Sequence, residues 1–260
     1  MSDSSGSFVW HDLMTTDTDA AAKFYATVAG WGTQAWSGES PYTLFTNNGA
    51  PLGGMTLITD EMRKNGVPPH WLPSVDVESV DEAAAKAAEL GGKIVAPAMD
   101  IPGAGRYAII QDPQGASIAI FAGSGEMEGG GPGWPPKVGE FSWHELLTTD
   151  HASAFDFYSK LFGWDNQMEH DMGPMGVYLM FGKKDGNMYG GMMTKTADMP
   201  MPPNWLCYIK VADAKASTET IKSAGGTVMN GPMEVPGGDW ITQFSDPQGV
   251  MSAVHSAKSA

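Results

Sequence analysis

An eight-residue segment that occurs twice limits what this chain can fold into more than any other feature. Trp10–Asp17 and Trp143–Asp150 are identical at six of eight positions and lie 133 residues apart, about half of the 260-residue chain. Further matches follow in the same order at a nearly constant offset. They are Phe24-Tyr25 with Phe157-Tyr158, Gly53-Gly54-Met55 with Gly190-Gly191-Met192, Trp71-Leu72 with Trp205-Leu206, and Asp112-Pro113-Gln114-Gly115 with Asp246-Pro247-Gln248-Gly249. This regular recurrence indicates that one domain is encoded twice.

Composition limits the possible partners and compartment. The net charge of −15, with no cluster of Lys or Arg, argues against binding nucleic acid. A single cysteine, Cys207, fits a reducing compartment, and the start of the chain has no signal-like segment. No apolar run approaches the ~18 residues of a membrane span. We therefore expect a cytoplasmic protein, a monomer or homodimer, whose partner is a small-molecule ligand.

The spacing of apolar and turn residues predicts a strand, a helix and three strands, performed twice in each half. Asp17 and Asp150 are placed to cap the first helix of each half. Ser79 with Glu82 forms a capping box for a later helix, and Asp213 is placed to cap another helix of the second half. Asp-Pro-Gln-Gly is typical of a tight turn between two strands. We expect Thr59–Pro69 to be a loop.

The domain limits follow from a segment rich in glycine and proline. Residues 123–139 contain Gly129-Gly130-Gly131-Pro132-Gly133 and Pro135-Pro136, a composition that favours a linker. We therefore predict a first domain over residues 7–122, a linker over 123–139 and a second domain over 140–257.

The repeated Trp-His-Asp/Glu-Leu opening, the Phe-Tyr helix and the closing Asp-Pro-x-Gly turn resemble the vicinal oxygen chelate superfamily. This superfamily includes glyoxalase I, extradiol dioxygenases and bleomycin-resistance proteins, and the tandem arrangement is similar to its two-domain glyoxalase-like subgroup. The resemblance covers about residues 8–122 and 140–256. It implies an α+β fold in which two βαβββ modules per domain form a curled eight-stranded mixed sheet, with helices outside and the ligand on the concave side.

The resemblance also indicates where metal-using relatives carry their ligands. The corresponding residues here are Trp10 and Trp143, Leu72 and Leu206, and Ala119 and Ala253. None of these side chains can ligate a divalent ion, which needs three or four N, O or S donors. We therefore predict no metal and no other cofactor. His70 and His255 lie two residues from such positions, so a displaced metal site is an alternative.

Strand alternation predicts which side chains face the ligand. If Trp10 and Trp143 point inward, Asp12, Met14 and Glu145 do too, while His11 and His144 face the helices. The two tryptophans either fill the core or form a flat wall for a planar ligand. A carboxylate facing an apolar interior is costly unless it is paired or used. Asp12 and Glu145 are therefore structural anchors or catalytic acid/base residues.

Further candidates for contact with the substrate come from positions along the strands and from the repeat. Arg106 is expected to pair with Asp12, and its counterpart in the second half is Trp240. Tyr208 is predicted to face inward as a hydrogen-bond donor, whereas Cys207 faces outward. The complete set is Trp10, Trp143, Met14, Leu72, His70, Arg106, Leu206, Tyr208, Trp240 and His255.

Three functions remain open. The first is a metal-independent glyoxalase-like lyase or isomerase in which Glu145 or Asp12 moves a proton. The second is a protein that binds and sequesters a small aromatic or antibiotic-like ligand without chemistry. The third is a metal-dependent lyase or dioxygenase. Retention of a carboxylate in both copies favours the first.

Overall fold

Two eight-stranded mixed sheets, one in each half of the chain, make up the fold and confirm the predicted α+β class. The computed structural model describes residues 4–38, 41–125, 135–184, 186–197 and 199–258. The first sheet has the order β2-β3-β4-β1-β5-β8-β7-β6, and the second has β10-β11-β12-β9-β13-β16-β15-β14. The strands of the first sheet are β1 (Phe8–Thr15), β2 (Gly32–Ala35), β3 (Thr43–Asn47), β4 (Ala50–Leu57), β5 (His70–Asp76), β6 (Lys93–Ile101), β7 (Gly105–Gln111) and β8 (Ser117–Gly123). Those of the second are β9 (Phe141–Thr148), β10 (Asp165–Asp171), β11 (Val177–Gly182), β12 (Met188–Thr194), β13 (Asn204–Lys210), β14 (Thr227–Glu234), β15 (Trp240–Ser245) and β16 (Met251–Ser256).

Helices begin where the predicted caps stand. The helices are α1 (Thr18–Ala29), α2 (Asp60–Lys64), α3 (Val80–Glu89), α4 (His151–Phe162) and α5 (Ala214–Ser223). The side chains of Asp17, Ser79, Asp150 and Asp213 each accept a backbone N–H in the first turn of α1, α3, α4 and α5. Among the described residues, no helix is long and apolar enough to cross a membrane.

One element differs from the sequence prediction, and one predicted strand lacks the pattern by which strands are located. The short helix α2 lies inside the predicted loop Thr59–Pro69, because the hydroxyl of Thr59 caps it by accepting the N–H of Met62 at 3.2 Å. Strand β10 is polar and lacks the apolar alternation expected of a strand. It lies at the edge of the second sheet and pairs there with β11, so its side chains need no buried partners.

The compact units do not follow the two halves of the sequence. The first unit consists of the described parts of Met1–Trp10, Leu72–Gly131 and Trp143–Leu206, and the second of those of His11–Trp71, Pro132–Ser142 and Cys207–Ala260. Each unit therefore draws one βαβββ module from each half. The domain limits 7–122 and 140–257 stay a prediction, and residues 126–134 of the predicted linker lie outside the described residues.

The repeated motifs meet in the core of each unit. In the first unit, the hydroxyl of Tyr158 in α4 donates to Asp112 at 3.0 Å and accepts the indole N–H of Trp205 at 3.3 Å. Asp112 also accepts three backbone N–H groups of its own turn. Burial raises the pKa of the Asp112 carboxyl and raises that of Tyr158 well above its usual value. Tyr25, Asp246 and Trp71 form the same network in the second unit.

Candidate functional site

Burial alternates along β1 and β9 in the predicted way. Trp10, Asp12 and Met14 are half-buried, whereas His11, Leu13 and Thr15 between and beyond them are buried. In β9, Trp143 and Glu145 are half-buried and His144 and Leu146 are buried. Leu13 belongs to the core that contains Phe24 and Tyr25 of α1. Each sheet therefore has a face turned away from its helices, which we call its open face. The open face of the first sheet carries Trp10 and Asp12, and that of the second carries Trp143 and Glu145.

His144 is a buried core residue on the helix side of β9. Its ring stacks on Phe8 with centroids 3.6 Å apart, and its Nδ1–H donates to the carbonyl of Tyr189 at 3.1 Å. Burial lowers the pKa of His144 to about 3, since the charged form would lose its hydration. His144 is therefore neutral at physiological pH.

A hydrogen-bonded chain of three side chains on the open face leads to Glu145. The indole N–H of Trp143 donates to the hydroxyl of Tyr178 at 2.8 Å, and that hydroxyl donates to Oε2 of Glu145 at 3.0 Å. Trp143 and Glu145 come from β9, and Tyr178 comes from β11. The three side chains all belong to the first unit. This chain holds the carboxylate in a fixed orientation.

Glycine in the strand between β9 and β11 makes this contact possible. Gly191 of β12 pairs with Glu145 of β9, and a Cβ added at Gly191 would overlap the ring of Tyr178. The tyrosine ring thus leans across the bare backbone of β12 to reach the carboxylate. The repeated Gly-Gly-Met segment is explained by this close approach.

The first sheet carries an equivalent pair within the second unit. The hydroxyl of Tyr42, just before β3, donates to Oδ1 of Asp12 at 2.5 Å, and its ring lies over Gly54 of β4. Neither tyrosine was predicted from the sequence. A detectable signal was present, since each tyrosine stands 12 or 13 residues before the second glycine of Gly-Gly-Met.

Arg106 and Trp240 lie on the helix side of their strands, so their predicted positions on the ligand face are wrong. Arg106 forms ion pairs with Asp81 of α3 at 2.8 Å and with Asp100 at 2.9 Å, and its predicted pairing with Asp12 is therefore wrong. Trp240 is covered by the ammonium group of Lys215 of α5, 3.4 Å from its ring centre. The sequence placed Arg106 at the start of its strand and Trp240 as its counterpart in the repeat, and neither position determines on which side of the sheet the side chain lies.

The correct parity of β15 brings a different polar residue to the open face. Thr242 and Phe244 face α5 and the core, so Gln243 between them faces the other way. Its amide donates to the hydroxyl of Tyr208 at 2.8 Å. Ala253 of β16 pairs with both residues and lies between their strands. Tyr208 thus faces inward as predicted.

The remaining candidates occupy varied places. Leu72, Leu206 and Tyr208 are buried. Nδ1 of His70 is 2.8 Å from the carbonyl oxygen of Pro68, and burial lowers the pKa of His70. His255 contacts Ser142 and Asp239. Cys207 is fully buried in the core of the second unit, as its outward assignment implies, and burial raises the pKa of its thiol.

Comparison with known proteins identifies the family. Residues 7–120 and 140–254 match the Glyoxalase/Bleomycin resistance protein/Dioxygenase superfamily. The chain belongs to this superfamily. "Putative glyoxylase CFP32" of Mycobacterium tuberculosis is 33% identical over 252 residues, which cover 94% of this chain and 92% of that protein. Anthracycline biosynthesis protein DnrV of Streptomyces peucetius is 29% identical over 257 residues, covering 94% and 90%.

A solved structure shares the fold. The Mn(II)-bound glyoxalase from Novosphingobium aromaticivorans matches with a TM-score of 0.62 at 17% identity, over 97% of this chain and 81% of that one. That protein holds Mn(II), but the residues at the expected ligand positions of this chain do not fit a divalent ion. The indole N–H of Trp143 only donates, and it is engaged with Tyr178. The side chains of Leu206 and Ala253 have no lone pair to donate, so these residues do not supply the three or four donors that a divalent ion needs.

Proposed function

We propose that this chain is a small-molecule enzyme of the glyoxalase-like type, in which Glu145 transfers a proton without the help of a metal ion. The observation that supports this proposal most is the Trp143–Tyr178–Glu145 chain, which orients one carboxylate on a half-buried sheet face. The reaction class is that of a lyase or isomerase, since a single carboxylate can remove a proton from carbon and return it elsewhere.

Each side chain of the Trp143–Tyr178–Glu145 chain has its own role in the proposed reaction. The Glu145 carboxylate takes a proton from a carbon next to a carbonyl group and, once protonated, acts as the acid that returns it. Tyr178 fixes the carboxylate through Oε2, so the carboxylate loses little rotational freedom when the substrate binds. The Trp143 N–H, by donating to the Tyr178 oxygen, polarises that hydroxyl and strengthens its bond to Glu145. The indole also offers a flat apolar surface to a planar substrate.

Substitution of Glu145 tests the proposal. We expect Glu145→Gln to keep the fold and to lower turnover or ligand affinity at least tenfold, about 1.4 kcal/mol. The assay is exchange of carbon-bound hydrogen for deuterium in D2O, across a panel of small hydroxyketones and of hydroxyanthraquinones with a ketone side chain. The second group is chosen because one relative is named for anthracycline biosynthesis. Mass spectrometry of any small molecule that copurifies with the protein refines the panel.

Two further variants serve as controls. Asp12→Asn makes the corresponding change in the first sheet, and comparison of the two variants shows which carboxylate works. His144→Ala should lower stability more than activity, since His144 lies in the core on the helix side. A Glu145→Gln protein that exchanges like the parent, together with a folded but inactive His144→Ala protein, would contradict the proposal.

The second candidate function is binding without chemistry, supported by the methionine content of the second half. Nine of the 18 methionines lie in residues 168–201, and Met is adaptable filler that suits permissive binding surfaces. Quenching of Trp fluorescence by a ligand that the parent protein does not exchange would favour this function. Loss of exchange in the parent after EDTA treatment would instead favour the metal-dependent alternative.

A further inference from the structure

Three polar side chains of the second unit form a hydrogen-bonded chain that the proposed function does not use. The hydroxyl of Ser142 lies 3.0 Å from Nδ1 of His255, and Nε2 of His255 lies 2.9 Å from a carboxylate oxygen of Asp239. Ser142 is in β9, His255 is in β16, and Asp239 directly precedes β15. A serine next to an imidazole that a carboxylate orients is the arrangement that activates serine as a nucleophile.

The hydrogen bonds determine where the protons lie. A carboxylate only accepts, so Asp239 holds the proton of the neutral imidazole on Nε2 and leaves Nδ1 to accept from Ser142. The backbone N–H of Lys258 donates to the other Asp239 oxygen at 3.1 Å and fixes that carboxylate. The competing acceptor for the Ser142 hydroxyl, the carbonyl oxygen of Tyr208, is farther away at 3.4 Å. Ordinary O–H···O bonds measure about 2.7–2.8 Å, so the imidazole is the better acceptor.

The first half of the chain provides an internal comparison. The residues at the three matching positions are Val9, Phe121 and Gly105. None of them carries a polar side chain, so the set Ser142, His255 and Asp239 is particular to the second half. Burying polar groups in place of apolar ones costs free energy unless every group is paired. Residues without polar side chains occupy these positions in the first half, which has the same fold. Packing alone therefore does not require Ser142, His255 and Asp239 in the second half.

We propose that Ser142 is the nucleophile of a second, acyl-transferring site whose substrates are small activated esters. Ser142 attacks the ester carbonyl carbon, and its proton passes to Nδ1 of His255. The tetrahedral intermediate expels the alcohol, which takes that proton, and leaves an acyl group on Ser142. Water then attacks the acyl-serine, gives its proton to Nδ1, and releases the acid as the serine recovers its proton.

The geometry restricts the substrates. Ser142 is 7% exposed and the His255 side chain 20% exposed, so only a small acyl group can approach the hydroxyl. General-base assistance contributes about 10²–10⁴-fold to a rate. That range suffices for esters with a good leaving group, such as p-nitrophenyl acetate, and not for amides.

Acetylation of the intact protein tests this site. With p-nitrophenyl acetate we expect release of nitrophenol and, by peptide mass spectrometry, one acetyl group on Ser142. Ser142→Ala should abolish that acetylation, and Asp239→Asn should slow it at least tenfold. Ser252→Ala is the matched control, because Ser252 is a buried serine of β16 whose hydroxyl donates to the Cys207 carbonyl and, among the described residues, forms no hydrogen bond with an imidazole. This variant should react like the parent. Circular dichroism and the melting temperature establish that each variant is folded.

Two results would overturn the proposal. One is a folded parent protein whose Ser142 gains no acetyl group under conditions that acetylate surface lysines. The other is acetylation of Ser142 at the parental rate in Asp239→Asn. Neither result bears on deuterium exchange by Glu145, so the two proposals can fail separately.

Discussion

At the scale of single residues, the two halves use the same device for a carboxylate on a sheet face. Asp12 with Tyr42 and Glu145 with Tyr178 each join an acidic strand residue to a tyrosine hydroxyl. A partly buried carboxylate without such a donor would cost free energy, and the tyrosine offsets that cost. Strand alternation sufficed to predict the direction of both acids. The tyrosine partners required knowledge of which strands are neighbours, which the sequence alone does not provide.

His144 gives a pH dependence with a definite sign. Its pKa in the folded protein is about 3, below the usual value of about 6.5 in an unfolded chain. Its contribution to stability is therefore complete above pH 6.5 and is lost as the pH falls from 6.5 towards 3. We expect the free energy of unfolding to fall by up to about 1.4 kcal/mol per pH unit in that window.

The variant His144→Phe isolates this contribution. Phenylalanine keeps a ring next to Phe8 but cannot be protonated. The free energy of unfolding of the parent minus that of the variant should therefore become smaller, or more negative, as the pH falls. The pKa values of Asp112 and Asp246 are raised, so these two groups stabilise the folded state as the pH falls. Both groups are present in parent and variant, and their contributions cancel in the difference. Urea unfolding at several pH values measures the difference. A difference that is constant between pH 7 and pH 4 would contradict the assignment of His144.

At the scale of elements, β12 matters because of the side chain that it lacks at one position. Gly191→Ala should displace the Tyr178 ring and break its bond to Glu145 without altering either residue. We expect a loss of deuterium exchange similar to that of Tyr178→Phe, and a loss of stability of about 1–3 kcal/mol from overpacking. Gly54→Ala is the matched change beneath Tyr42. If Gly191→Ala retains parental exchange, Tyr178 does not position Glu145.

Strand and helix boundaries show what the sequence can predict at this scale. Helices with a side-chain cap and an apolar stripe were predicted correctly, because those signals are local. The repeat predicts three strands after α4, but the bounds of the edge strand β10 could not be located, because an exposed strand needs no apolar alternation. Arg106 and Trp240 were assigned to the wrong face because the parity of β7 and β15 was not anchored by any residue of known direction. An error of one residue in a strand reverses every side chain.

At the scale of the whole molecule, the repeat predicts two similar sheets but not which modules share a core. In the first unit, Ile110 and Ile118 of the first half pack in one core with Tyr158 and Trp164 of the second half. The two modules of one half could share a core, or a module of one half could share a core with a module of the other. Both arrangements require the same apolar pattern in the sequence. The modules are alike, so the sequence cannot distinguish these arrangements.

This shared core predicts that neither half is stable alone. A fragment of residues 1–125 lacks α4 and the strands that complete the core around Ile110, so it should bind a hydrophobic dye and show no cooperative unfolding as a monomer. Mixing it with residues 135–260 should restore the parental melting transition. The matched control is the full chain cut at a protease site introduced between residues 126 and 134, which should remain associated and melt as one. A fragment 1–125 that is monomeric in analytical ultracentrifugation and melts cooperatively at the parental temperature would contradict the prediction, since its core would then be complete without the second half.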